Sequence, residues 1–142
     1  MTNPIVLHAI VGMLNIPYVW GGNSPLSGWD CSAFVTEILR IEDRIPMFTD
    51  FSSQSLYEYL IGQKYKKVQE AKFGDIIFFG ANTLSITHVS YGMGYGMMAE
   101  SAGGDRTTRT IEDAIKRDAR SKIRPIRYRK DIVAILSQQT NQ

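Results

Sequence analysis

Gly28-Trp-Asp-Cys-Ser-Ala-Phe-Val35, continued by Thr36-Glu-Ile-Leu-Arg-Ile41, joins two kinds of sequence. Upstream lies turn chemistry. From Asp30 onward Cys31, Phe34, Val35, Ile38 and Leu39 recur at helical spacing, with Glu37 and Arg40 on another face. That pattern predicts an amphipathic helix from Asp30 to about Ile41, starting at or next to the only cysteine of the chain. A lone Cys is ordinarily a small buried hydrophobe, so the neighbours of Cys31 decide whether it is more than that.

Before this helix, Tyr18-Val-Trp-Gly-Gly-Asn-Ser-Pro-Leu-Ser-Gly-Trp29 is dense in Gly, Pro, Ser and Asn yet holds a Tyr and two Trp. Large aromatics in such a loop make either a binding wall, with Trp20 and Trp29 as candidates, or a loop packed on the core. Asn3-Pro4 reads as an N-cap with proline at the first helical position, and Ile5 to Leu14 keeps helical spacing until Pro17 ends it. After a Thr49-Asp50 turn, a second helix is expected over Ser53 to Leu60, and Gln63 to Glu70 reads as polar and exposed. Strand signals follow. Asp75 to Phe79 fits a buried strand, and Thr87 to Met93 with Tyr95 to Glu100 flank Gly94 as in a hairpin. Ala102 to Asp105 is a turn, Ile111 to about Ala119 a short helix, and Ile126 to Leu136 one or two strands. Helices first and strands afterwards predict an α+β domain with helices packed on an antiparallel sheet.

With 142 residues, 44% hydrophobic and 21% charged, the chain suits one globular domain spanning 1–142, without the composition of a disordered segment. The formal charge of +2 hides an asymmetry: residues 1–104 carry 6 Lys and Arg against 9 Asp and Glu, residues 105–142 carry 10 against 5. A basic end can favour an anionic polymer, but a solvated face is the simpler reading, and no nucleic-acid partner is expected. No run is long enough for a membrane span. No Lys or Arg precedes the Ile5–Leu14 stretch and no small-residue cleavage site follows, so no signal peptide is expected and the site of synthesis is the cytoplasm. One cysteine excludes an internal disulfide and a multi-thiolate zinc site.

Cysteine attacks as the thiolate; a free thiol titrates at about 8.5, and a helix N-terminus or a nearby imidazole favours the ionised form. Of two histidines, His8 lies within the first expected helix with no partner in sight, whereas His88 lies on an expected strand. Cys31 and His88 are the economical nucleophile and base. A third group usually orients the imidazole, and Glu100, on the strand after the Gly94 turn, can reach His88 by antiparallel pairing; an exposed strand-end Glu is the alternative.

The run Ile16-Pro-Tyr-Val-Trp-Gly-Gly22 followed by Gly28-Trp-Asp-Cys-Ser-Ala-Phe-Val35 resembles the active-site block of NlpC/P60 cysteine peptidases. Phe73-Gly-Asp-Ile-Ile-Phe-Phe79, His88-Val-Ser-Tyr-Gly-Met-Gly94 and Arg129-Lys-Asp-Ile-Val-Ala-Ile135 resemble its later strands, in order. The resemblance implies a papain-like α+β fold and hydrolysis of amide bonds in bacterial peptidoglycan stem peptides, commonly between D-glutamate and a diamino acid, without metal or cofactor. It makes Cys31 and His88 the catalytic pair, puts Tyr18 in the cleft near the oxyanion, and gives Asp30 and Ser32 a part in receiving substrate. Two positions depart from the family pattern. Ala33 stands where Gly is usual, and Glu100 where many members have His; a slip of one residue near Met97 and Met98 puts Ser101 there instead.

Two rival readings use the same residues: an amidase or acyltransferase on another substrate, and an inactive module that binds peptidoglycan or sits in a phage tail. An enzyme without a signal peptide needs phage or secretion machinery to reach the wall, with phage tail proteins or an immunity protein as partners.

Overall fold

A computed structural model describes residues 3–139. Four helices precede or interrupt the strands: α1 Pro4–Gly12, α2 Cys31–Ile41, α3 Ser53–Ile61 and α4 Ile111–Arg117. A small ribbon pairs β1 Asn23–Ser24 with β2 Gly28–Trp29. The main sheet holds β3 Tyr65–Lys67, β4 Ile76–Asn82, β5 Ser85–Gly94, β6 Met97–Ala102, β7 Arg120–Pro125 and β8 Ile132–Gln138, in the order β3-β8-β4-β5-β6-β7 with every pair antiparallel. This is the expected α+β architecture.

Each helix starts at a polar cap. The Asn3 side chain accepts from Ile5 and Val6 N–H ahead of Pro4, and Ser52 and Ser55 form a reciprocal capping box before α3. α1 stops at Gly12, short of the expected Leu14, and Asn15 takes a positive φ that turns the chain toward Pro17.

The unbroken apolar run of β4 reflects a sheet covered on both sides. Ile76 and Phe78 join α2 and α3 in the larger core with Phe34, Ile38, Leu39, Leu56 and Leu60. Ile77 and Phe79 face the other way, with Met98 and Ile135 under Val68, Ala71 and Ile126. Alternate residues of a strand serve opposite faces, so two covered faces demand a continuous run. The hairpin between β5 and β6 closes through Tyr95-Gly96, both at positive φ, one residue beyond the expected Gly94.

Three elements differ from expectation. β7 was not expected as a strand, Ile126–Tyr128 is a short 3₁₀ turn rather than a strand, and Tyr65–Lys67 of the polar stretch pairs with β8. β3 and β7 are the two edges of the sheet. Edge strands are short, charged and tolerant of proline, so Tyr65-Lys-Lys67 and Arg120-Ser-Lys-Ile-Arg-Pro125 lack the apolar signature of a central strand. Among the described residues no helix is long and apolar enough to cross a membrane.

Candidate active site

Asp30 builds the start of α2. Its Oδ1 accepts the Ala33 N–H at 3.0 Å and the Ser32 hydroxyl at 3.0 Å. Capping at Asp30 makes Cys31 the first helical residue, in the turn where backbone N–H groups lack intrahelical acceptors and the helix dipole is positive. Burial pushes the Asp30 carboxyl up, an effect opposed by bonds from Ala33, Ser32 and Gly21 and reinforced by Asp50.

The preceding loop is pinned by backbone bonds from Tyr18 N–H to the Ala119 carbonyl (3.0 Å) and from Trp20 N–H to the Thr108 carbonyl (2.7 Å). It folds back on itself closely: Gly21 has φ 73°, and a Cβ on Gly22 would meet the Gly28 carbonyl oxygen at 2.4 Å. Only glycine fits there. The Tyr18 ring is buried against Gly104, where a Cβ would sit 2.1 Å from its Cδ1. Burial first, then the charges of Cys31, Asp30 and Asp105, push the Tyr18 phenol far above its ordinary range, leaving it a hydrogen-bond donor at neutral pH. Gly104→Ala is therefore expected to displace the Tyr18 ring and lower activity at this site about 10-fold while the protein stays folded, by analogy with small misplacements in other sites. Steady-state rates alongside a thermal melt check this.

His88 stands opposite Phe79 of β4, ring centroids 5.4 Å apart. Tyr91 pairs with Ala99 across the next ladder, and continuing that register sets Glu100 diagonal to His88 on the same face. The His88 Nε2 lies 2.5 Å from Glu100 Oε1. Glu100 is fully buried, and its Oε2 accepts from Arg124 Nε of β7, whose guanidinium stacks 4.0 Å from the Tyr128 ring centre. With Nε2 committed to Glu100, Nδ1 is the ring nitrogen left for Cys31, whose side chain acts on the ring and helps raise its pKa. Burial opposes the imidazolium, but Cys31 and Glu100 outweigh it and push His88 up to about 9. Burial likewise opposes the Glu100 anion, and His88 and Arg124 hold it below the usual carboxylate range.

Cys31, His88 and Glu100 are thus brought together. Glu100, not Ser101, meets the ring; the Ser101 hydroxyl donates to the Trp29 carbonyl. Two adjoining cavities of about 420 and 470 Å³ share Tyr18, Trp20, Ser52, Ser53 and Thr87; the first reaches Cys31, Asp30, Ser32 and Asp50, the second His88, Asp105 and Arg129. Trp20 is half exposed along this cleft. Trp29 is not a cleft residue: it is fully buried, edge-on to Phe34 at 5.5 Å, because β2 carries it under the start of α2. His8 is exposed on α1. Asp50, Arg124 and Arg129 were not singled out from sequence; each lies far along the chain from Cys31, and no local pattern marks it. Among the described residues no cluster of His, Cys, Asp and Glu is arranged to hold a metal ion.

A thiol at a helix N-terminus beside an imidazole on an antiparallel sheet defines the papain-like class of Cys–His domains. The NlpC/P60 family model matches residues 15–124, and the chain belongs to that family. It is 29% identical over 110 residues to the probable endopeptidase YafL of Escherichia coli strain K12, covering 75% of this chain and 41% of YafL, so it spans less than half of that relative. Its fold matches the NlpC/p60 domain of the peptidoglycan hydrolase SagA with a TM-score of 0.64 at 21% identity, over 97% of this chain and 100% of that one. RipD of Mycobacterium tuberculosis, a non-catalytic NlpC/p60 domain protein adapted to peptidoglycan binding, matches with a TM-score of 0.62 at 19% identity, over 94% of each chain. These structural likenesses show the fold alone.

Proposed function

We propose that this chain is a cysteine endopeptidase that hydrolyses amide bonds in peptidoglycan stem peptides, acting at the link between D-glutamate and the diamino acid. The observation that carries this reading is the His88–Glu100 bond together with Cys31 at the start of α2, the cysteine and the histidine lining adjoining cavities of one cleft. Cys31 as thiolate attacks the amide carbonyl carbon, and the Cys31 backbone N–H with the Tyr18 hydroxyl receives the oxyanion. The C–N bond breaks as the His88 imidazolium protonates the leaving amine, which leaves a thioester and a neutral ring. A water molecule, giving its proton to His88, attacks the thioester and releases the acid.

Asp30 and Asp50 on the Cys31 side of the cleft, with Ser32 beside Asp30, favour a substrate whose free ammonium lies near the scissile bond. That charge preference supports trimmed stem peptides over an acyl chain. The non-catalytic reading is disfavoured because nucleophile, base and orienting carboxylate are all present, with the base bonded to the carboxylate. The chain then serves as one catalytic domain.

Purified peptidoglycan fragments and free tripeptides incubated with the protein and resolved by mass spectrometry test the reading. New fragments ending at D-glutamate are expected; the absence of any cleavage would sink it. The rate is also expected to fall as pH rises through about 9, because His88 then loses the proton that the leaving amine needs. A profile of kcat/KM flat across that pH would contradict the role given to His88.

A further inference from the structure

Arg124 lies on β7 and takes no part in lining the cleft, yet it touches the carboxylate that orients His88. In the ladder Met98 faces Arg124 and Glu100 faces Lys122, so Arg124 is diagonal to Glu100 on one face of the sheet. We propose that Arg124 is a positioning residue: by binding one oxygen of Glu100 it keeps that carboxylate an anion and so holds the His88 ring with its proton on Nε2 and Nδ1 free toward Cys31. The proposal rests on the Cys31–His88 reading of the site and adds what sets the ring's tautomer.

Glu100 is fully buried, so water cannot balance its charge. While His88 is an imidazolium, the ring itself does so. Once the ring has given its proton away, a carboxylate without another cation would take up a proton. Its O–H would then donate to Nε2 and send the ring proton to Nδ1, the nitrogen that has to accept from thiol or water. A guanidinium stays charged throughout, and its planar fork, stacked on Tyr128, presents Nε–H in one direction.

The other charged groups around the pair come from several elements. Lys122 stands across from Glu100, but its ammonium donates to the Asp118 carbonyl at 3.0 Å. Arg129, ahead of β8, makes two bonds to Asp131 at 2.9 and 2.6 Å, and Asp131 bears on His88 through space. Cys31, at the start of α2, acts on the ring and raises its pKa. Among the described residues Arg124 and His88 are the two groups bonded to the Glu100 carboxylate.

The test is the nitrogen spectrum of protein labelled at histidine, which gives a pair of ring signals for each of the two histidines, the pair of exposed His8 being identified with His8→Gln. At a pH where His88 is neutral, the native ring is expected to carry its proton on Nε2 alone. Arg124→Gln is expected to populate the Nδ1–H form, move the acid limb of the pH–rate profile to higher pH, and lower kcat about 10- to 100-fold, as loss of such outer partners does elsewhere. A native ring protonated on Nδ1 would overturn the proposal without any variant, and so would a folded Arg124→Gln protein with the native tautomer. If that variant does not fold, Arg124→Lys decides. Loss of its ammonium proton, near about 10.4 for an ordinary lysine, must release the ring proton to both nitrogens, and a ring unmoved through that titration refutes the idea. The spectra need no substrate, so inert peptides would sink the peptidase reading and leave the Arg124 result standing.

Discussion

Cys31→Ala is expected to lower turnover of stem peptides by on the order of 10⁴-fold or more, since loss of the nucleophile in comparable hydrolases costs that much and leaves only binding and oxyanion stabilisation. The fold is expected to survive. Cys31 is nearly buried at the first position of α2, but the helix start is fixed by Asp30 and its bond to Ala33, and neither uses the sulfur. Losing one buried sulfur costs roughly 1 kcal/mol, in the range of an ordinary substitution. His88 loses one of the two groups that raise its pKa, which is therefore expected to fall from about 9 while the bond to Glu100 remains. Rates measured on the folded variant, with the histidine titration beside them, separate these effects. Undiminished cleavage by a preparation free of contaminating peptidase would remove Cys31 from the mechanism.

The features that made Cys31 and His88 legible are local. The α2 periodicity, the Asp30 cap and the Gly-rich loop all lie within a few residues of Cys31, and β4 announced itself by an apolar run that two covered faces require. Glu100 was legible only in part through hairpin pairing: the register at the turn would set Glu100 across from Tyr91, and a bulge between Gly92 and Gly94, which no sequence signal announced, shifts the pairing by one and brings Glu100 to the face of His88. Arg124 was not legible. It sits on an edge strand whose charged sequence resembles a loop, and its tie to Glu100 exists only once β6 and β7 are paired. The placement of Trp29 failed for the opposite reason. Its loop composition does not reveal that β1 and β2 turn one Trp inward and leave the other, Trp20, on the cleft.

Glu100→Ala and Glu100→Gln are expected to differ in a way that separates charge from packing. Either change removes the anion that holds His88 up, while burial of the ring, which favours its neutral form, persists. The alkaline limb of the pH–rate profile is therefore expected to move below about 9, and kcat to fall about 10²- to 10⁴-fold, the upper figure being that of an orienting carboxylate neutralised in a serine protease triad. Glutamine keeps the volume and one acceptor for Arg124. Alanine leaves a cavity and strips the partner from a guanidinium only 17% exposed, a loss of about 3–5 kcal/mol for breaking a buried pair. The pH dependence of stability follows the same groups. His88 titrates at about 9 when folded against an ordinary 6.5, so its contribution is complete below 6.5 and is lost as pH rises through about 9. Glu100 is lowered from 4.5, so its contribution is present above 4.5 and is lost as pH falls through its depressed value. Between these limits the native pair is fully charged, and there the two variants are expected to fall furthest behind the native protein in denaturant midpoint. If Glu100→Gln kept both the native kcat and the limb near 9, the carboxylate would be a packing group, and the ring would owe its orientation to Cys31 and the strand alone.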